Sequence, residues 1–299
     1  MKNACVIVNY NDADTTLSQI RRIRTFRNID AVVVVDNCST DDSVPRLKDA
    51  VSGNLFLVVS ERNGGYGAGN NLGVRYASEI LRAEHVLIAN PDAVFTDRAA
   101  GALSRFLDRH PRVAVAAPVQ VNPALSARAN IPGTRENVLA APPAMPLRPW
   151  LYDLLESGPV SRRIFTGLLH YPRSFYEGHR AVRVDCVPGS LLMADTGKFL
   201  EAGGYDEEVF LYGEEYVLGQ KMRLCGYETA LLLTETYEHR HAVSIRKSVE
   251  SSLARQKLRE RAALQYYAHW LGASDAALFF TRLFFSAVNF EVRLFGGRL

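Results

Sequence analysis

The chain predicts a doubly wound α/β fold on a mostly parallel sheet, and three observations carry that expectation. Short apolar runs alternate with amphipathic stretches four times within the first hundred or so residues, the rhythm of successive strand–helix units. The runs are apolar at every position rather than every second one, as in strands covered by helices on both faces. Each run also stops on a polar cluster, the composition expected where the chain crosses the rim of such a sheet and ligands bind.

The elements follow in order. Ala4 to Val8 reads as the first strand, ending on Asn9-Tyr10-Asn11, and Asp14-Thr15-Thr16-Leu17 opens a capped helix with an apolar stripe through Leu17, Ile20 and Ile23. Ala31 to Val35 is the second strand. It closes on Asp36-Asn37-Cys38-Ser39-Thr40-Asp41-Asp42, where Ser39 and Asp42 have the spacing of a capping box for a helix holding Val44, Leu47 and Val51. Leu55 to Val59 is the third, followed by a glycine-rich loop over residues 63–71 and a helix from Leu72 through Ile80. The fourth, Val86 to Ala89, stops on Asn90-Pro91-Asp92, and a helix from Ala99 to Leu107 and a strand from Val113 to Pro118 come next.

From 122 to 181 the chain collects most of its prolines and loses its periodicity, so this stretch reads as a variable insertion with a short helix near Trp150 to Leu155. Order returns with a strand from Val182 to Val187, a turn into a second strand reaching Ala194, and a short helix from Lys198 to Ala202 ended by Gly203-Gly204. A helix from Val217 to Leu224 and a strand from Ala230 to Leu233 complete a first unit over 1–245. Residues 246–299 read as amphipathic helices, Ser248 to Leu271 and Ala276 to Phe295. The charges inside the second argue against a membrane-spanning helix and for one lying in a lipid interface or docked on protein.

A net charge of +3 over 299 residues is too weak to suggest a nucleic-acid partner. The four cysteines show no close pairing, which suits free thiols in a reducing cytoplasm, and the N-terminus runs straight into a strand with no export signal in view.

Five rim segments carry candidate chemistry, each beside a plainer account. Asp92 stands just beyond a strand whose end is turned by Pro91, where a carboxylate suits a divalent cation shared with a diphosphate; Asn-Pro-Asp is also ordinary turn chemistry. Asp36 can accept from the N–H of a base or from a ribose hydroxyl, or can cap a helix. The glycines at 64, 65, 67 and 69 can bare backbone N–H groups to phosphate near a helix N-terminus, or can simply be loop glycines. They do not form a dinucleotide fingerprint, which belongs after the first strand. Glu214 and Glu215 adjoin a helix start, where carboxylates are stabilised by the dipole, yet adjacent carboxylates can also divide the roles of acid and base. His239, just past a strand end, can ligate metal or merely pack.

Taken together, Val8-Asn9-Tyr10-Asn11, Asp36 through Asp41, Asn63 through Asn71, Asn90-Pro91-Asp92, Gly204-Tyr205-Asp206 with Phe210 through Glu215, and His239 resemble the family 2 glycosyltransferases of GT-A fold. The Asn-Pro-Asp form is similar to rhamnosyltransferase-like members that build bacterial surface polysaccharides. The resemblance implies an inverting transfer from a nucleoside-diphosphate sugar, dTDP- or UDP-linked, to a lipid-linked glycan acceptor at the inner face of the cytoplasmic membrane. Val8, Asn9, Asn11, Asp36, Asn63, Gly64, Asn70, Asn90 and Pro91 then fall on the donor, with Asp36 on the base. Asp92 and His239 (or His241) would hold Mg2+ or Mn2+, and Glu215, or else Glu214, would be the general base. The insertion becomes the acceptor side, and 246–299 a route to membrane contact or self-association. The departures are Asn90 for an acid, Glu215 for the usual aspartate, and Val217 and Lys221 for the family's acidic and arginine positions. Two other readings remain: a non-catalytic nucleotide-sugar-binding or scaffold protein, and a sugar nucleotidyltransferase, disfavoured because no basic glycine-rich loop follows the first strand.

Overall fold

The computed structural model describes residues 1–121, 143–240 and 252–295. One sheet organises them, in the order β3-β2-β1-β4-β8-β6-β9-β5 with β7 alongside β9. The strands are β1 (Asn3–Asn9), β2 (Ala31–Asp36), β3 (Leu55–Val59), β4 (His85–Ala89), β5 (Ala93–Val94), β6 (Val113–Val121), β7 (Ala181–Val184), β8 (Leu191–Asp195) and β9 (Glu228–His239). β1 pairs in parallel with β2 on one side and β4 on the other. The chain therefore reverses its winding between β1 and β4, and the carboxyl ends of those strands open the crevice where doubly wound sheets bind ligands. Antiparallel β8 lies against β4 and antiparallel β5 against the end of β9, so two further segments reach the same rim.

The continuous apolar runs have the reason expected of them. Val6, Val33, Val86 and Ile88 face one hydrophobic layer with α3 (Gly65–Glu79), while Ile7, Val34 and Leu87 face another with α1 (Ala13–Ile23) and α4 (Asp97–Arg109). Neighbouring strand residues bury on opposite faces, so the interior positions of β1, β2 and β4 are apolar and polar side chains stand only at strand ends, Asn3 and His85 at one and Asn9 and Asp36 at the other. Each fully buried Val, Leu or Ile there contributes about 1.5–3 kcal/mol relative to exposure.

Several local expectations are corrected. The glycine segment is not a loop: α3 begins at Gly65. A Cβ on Gly65 would come within 2.1 Å of the Phe210 carbonyl oxygen, one on Gly69 within 2.9 Å of Val8 and one on Gly73 within 2.4 Å of Val6. These glycines let a helix press onto β1 and onto the 205–210 segment, which is a packing demand rather than a phosphate cradle. Ser39 and Asp42 form no capping box; α2 (Ser43–Ala50) starts after Asp42 without a side-chain cap, and Ser39 turns back to Asp36. The first helix starts at Ala13, after an Asp12 that makes no capping bond, rather than at Asp14. The strand expected over 182–187 ends at Val184. β9 is far longer than Ala230 to Leu233 and has His239 as its last residue instead of a residue past its end.

The described part of the insertion is more regular than its prolines suggested, holding α5 (Trp150–Ser157), α6 (Pro159–Leu169) and a 3-10 turn at Arg173–Phe175. Pro159 opens α6 at a first-turn position, where its missing N–H costs nothing. After α7 (Thr196–Glu201) and α8 (Glu214–Leu224) come α9 (Ser252–His269) and α10 (Asp275–Phe295). These last two are not a loose appendage. Leu154 of α5, Val217 of α8, Tyr266 and Tyr267 of α9 and Phe285 of α10 share one buried cluster. His241, residues 122–142 of the insertion and 246–251 of the C-terminal region lie outside the described residues.

Candidate active site

The rim above β1 and β2 is a closed polar knot. Asn9 and Asp36, both 0% exposed, are in register as the last residues of adjacent parallel strands. Asp36 accepts from the Asn9 amide at 2.8 Å, from the Ser39 N–H at 2.8 Å and from the Ser39 hydroxyl at 2.8 Å. Asn9 in turn accepts from Thr16 at 2.7 Å, and Ser39 Oγ accepts from the Asn11 N–H at 2.9 Å. Asn11 and Cys38 adopt left-handed φ angles of 49° and 62°, which fold both loops tightly enough to meet. The half-exposed edge left to a ligand consists of Tyr10, Asn11, Cys38 and Ser39.

Next to the knot, Asn37 donates to Asn63 Oδ1 at 3.0 Å and to the Gly65 carbonyl at 2.9 Å, joining the second and third rim loops. Sequence reasoning gave no site role of their own to Asn37 or Thr16 and read Ser39 as a helix cap; the polar run directly after Asp36 was the available signal for Asn37 and Ser39, and Thr16 on the first helix gave none. Gly64 caps the start of α3, and Val8 packs against Gly69. Asn70 is buried, its amide donating to the Tyr66 carbonyl at 3.0 Å within the same helix.

At the end of β4 the chain turns through Asn90 and Pro91 to Asp92. Pairing of Ala93 with His239 draws the end of β9 alongside, so His239 Nε2 stands 3.0 Å from Asp92 Oδ1 and 3.4 Å from Asn90 Nδ2. Asn90 Oδ1 is buried without a hydrogen-bond partner among the described residues. A carboxylate, an imidazole nitrogen and an uncommitted amide oxygen at one strand end are donors that suit a hard divalent cation whose remaining ligands are phosphate and water. No group of three or more His, Cys, Asp or Glu converges anywhere among the described residues.

The carboxylate pair begins α8, directly after Gly213, whose φ of +82° turns the chain into the helix. Glu215 Oε1 accepts from the Gly189 N–H at 3.2 Å, and a Cβ on Gly189 would fall 2.9 Å from that oxygen. Only glycine leaves Glu215 this position. Tyr66 braces the same turn, donating to the Gly189 carbonyl at 2.7 Å. Glu214 is 5% exposed, and its Oε1 has no hydrogen-bond partner among the described residues. Burial, and next the neighbouring Glu215, push the Glu214 carboxyl up to about 8. Burial also raises Glu215, while the Gly189 N–H favours its charged form.

The two chemistries meet on one rim. From Glu215 the path runs to Gly189, then through the Ser190 carbonyl to the Asn90 N–H at 2.9 Å, and from Asn90 to His239 and Asp92. Below it, Tyr237 binds Ser190 at 2.6 Å; burial chiefly raises its hydroxyl, and both Glu215 and Asp92 add to the rise. Asp92, His239, Asn90, Pro91 and Glu215 are thus brought together, with Asn9, Asp36 and Asn63 along the adjoining strand ends. Lys221, where the resemblance expects arginine, instead ties α8 to the Gly203 and Gly204 carbonyls at 3.0 and 2.9 Å.

Residues 4–137 match the family model described as Glycosyl transferase family 2. A low-salt glycan biosynthesis hexosyltransferase of Haloferax volcanii is 35% identical over 88 residues, 29% of this chain and 26% of the relative, so the match spans about a quarter of that protein. Among solved structures, GalNAc-T7 with UDP, GalNAc and Mn2+ superposes with a TM-score of 0.63 at 14% identity, covering 90% of this chain and 48% of that one. A mannosyltransferase from Pyrobaculum calidifontis with GDP-Man and Mn2+ gives 0.58 at 16% identity, covering 96% and 70%. Residues 1–349 of S. aureus TarS give 0.50 at 15%, covering 90% and 73%. At such identities the likeness is one of fold, a mixed α/β architecture of GT-A type with C-terminal helices.

Proposed function

We propose that this chain is an inverting, divalent-metal-dependent glycosyltransferase. It moves a sugar from a nucleoside-diphosphate donor to a hydroxyl of a glycan acceptor, with dTDP-L-rhamnose the first donor to test and a lipid-linked glycan the acceptor class. The observation that carries this reading is the single hydrogen-bonded path from Glu215 to the Asp92–His239 pair at the switch point of the sheet. In this reading a base for the acceptor and donors for a diphosphate-bound cation lie along one rim of the sheet.

Within that reading each residue has a task. Asp92 and His239 would hold the cation, with Asn90 Oδ1 in reserve, and Mg2+ or Mn2+ there would offset charge developing on the leaving diphosphate. Tyr10, Asn11 and Ser39 line the nucleoside edge over the Asn9–Asp36 knot, and Asn63 with Gly64 borders the sugar-diphosphate. Burial and the neighbouring Glu215 push Glu214 up to about 8, which favours its protonated form near neutral pH, and Glu215, which accepts from the Gly189 N–H, is the base of this reading. Glu215 takes the proton of the acceptor hydroxyl as its oxygen bonds to the anomeric carbon and the bond to the diphosphate breaks on the opposite face. One displacement of this kind inverts the anomeric centre.

The test is the Glu215→Gln protein assayed with a radiolabelled donor. Transfer should vanish while metal-dependent thermal stabilisation by the donor persists. Normal transfer would remove Glu215 from the mechanism, and absence of donor stabilisation in the wild type would favour a scaffold without nucleotide-sugar binding.

A further inference from the structure

Six large apolar side chains that stand more than half exposed gather on two neighbouring helices. On α6 these are Ile164 and Leu168, 69% and 68% exposed; on α10 they are Phe279, Phe280, Leu283 and Phe290, between 53% and 63% exposed. The α10 residues share one arc of the helix, and Thr281, Phe285 and Val288 on the opposite arc are buried against the protein. So α10 has two apolar faces, one already used. The helices touch: the Val160 N–H at the start of α6 lies 3.4 Å from Glu291 Oε2 of α10, and a Cβ on Gly158 would sit 3.2 Å from Val288.

The charges beside this surface identify its partner. Arg163 adjoins Ile164, Arg282 adjoins Leu283 and Arg293 follows Phe290, all three exposed. Of the acids on α10, Glu291 is engaged by α6 and Asp275 stands at the far N-terminal end. Aromatic and aliphatic side chains that reach outward between arginines, whose stems can lie along apolar surface while their heads meet phosphate, suit the boundary of an anionic bilayer. Among the described residues no helix is long and apolar enough to cross one. A symmetric contact with a second copy would set these arginines against themselves, a like-charge juxtaposition that disfavours pairing.

We propose that the outer faces of α6 and α10 dock this protein on an anionic lipid surface, with Ile164, Leu168, Phe279, Phe280, Leu283 and Phe290 entering the interface and Arg163, Arg282 and Arg293 contacting lipid phosphate. The docking itself does not depend on the transferase reading. It adds to that reading, because Phe285 behind the face shares a buried cluster with Val217, two residues beyond Glu215. The helix that touches lipid and the helix that begins with the catalytic pair are thus packed together, which suits an acceptor carried on a lipid.

The test is flotation of the full chain with phosphatidylcholine vesicles, with and without phosphatidylglycerol. The wild type should float with anionic vesicles and about tenfold less with neutral ones, as expected when charge supplies part of the attraction. The Ile164→Glu, Phe280→Glu double variant should lose flotation by about tenfold or more, and Arg163→Gln with Arg282→Gln should lose the phosphatidylglycerol dependence. Thermal melts matching the wild type establish that the variants fold. Failure of the wild type to float, or a double variant that floats equally well, overturns the proposal. So does a wild-type dimer that the double variant splits, which would make a second copy the occupant. Donor stabilisation measured on the same proteins separates a failure of docking from a failure of the transferase reading.

Discussion

The two buried carboxylate clusters on the rim are held in opposite ways. Asp36 sits between strands with three donors on its oxygens. Glu214 is nearly as buried, but one of its oxygens has no partner among the described residues and its neighbour is a second carboxylate. The difference teaches what each is built for. A carboxylate whose oxygens are taken up by three donors serves as a fixed scaffold for the loops around it. A carboxylate buried beside a second carboxylate, with one of its oxygens unpartnered among the described residues, is pushed toward its neutral form, as Glu214 is.

The largest way to break this contrast is at Glu215. In Glu215→Gln the amide retains the shape and loses the proposed base, and kcat should fall by about a thousandfold with donor affinity unchanged, within the range for removed general bases; steady-state kinetics and donor-dependent melting read the two quantities. Next is Asp36→Ala, which strands the Asn9 amide and two Ser39 donors inside the protein. That should cost about 3 kcal/mol in urea unfolding, since each unsatisfied buried donor costs roughly 1–3 kcal/mol. Asp36→Asn, which keeps an acceptor, should cost less.

Glu214 gives a prediction with a sign. Its folded value of about 8 lies above the ordinary value of 4.5. Between those values the folded chain holds a proton that the unfolded chain has released, so the wild type should lose stability as pH rises through that window. Chemical denaturation at pH 5 and pH 7 should show this group removing about 2 kcal/mol, and Glu214→Gln should flatten the slope. A steeper slope in the variant would invert the assignment of the proton within the pair. The smallest effect is expected at Gly189→Ala. Its new methyl would displace the Glu215 carboxylate rather than the core, lowering kcat about tenfold, the scale of small misplacement of a catalytic group, with little change in melting temperature.

Legibility in the sequence followed burial. β1, β2 and β4 were readable to within a residue or so, because the interior of a strand covered on both faces must be apolar and can turn polar only at its ends; the edge strand β3, mostly half-exposed, was readable from its apolar run alone. Helix starts were less readable. Gly65, Gly67 and Gly69 look the same whether glycine is needed for a free loop or for a helix pressed onto β1. Ser39 looks like a cap, but its hydroxyl has a better use against Asp36, a residue three positions back on the other side of the turn. Gly189 gave no local sign of its role, and Asn37 showed only as one member of a polar run, since each acts on a segment far away in the chain. The regularity of α6 was hidden by prolines that fall at its first turn and beyond its ends.

What the amino-acid order alone determined is the alternation of strand and helix, and with it a parallel half-sheet whose polar residues collect along one edge. These are consequences of local periodicity and of the rule that the interior of a doubly buried strand carries no polar side chain. Only the tertiary structure decided which polar residues meet. Antiparallel pairing of β8 with β4 and of β5 with β9 brings Ser190 to Asn90 and His239 to Asp92, and the close approach allowed by one missing side chain brings Glu215 to Gly189. The docking of α9 and α10 on α5 and α8 is likewise a matter of shape, because an amphipathic helix records that it has an apolar side but not which surface will cover it.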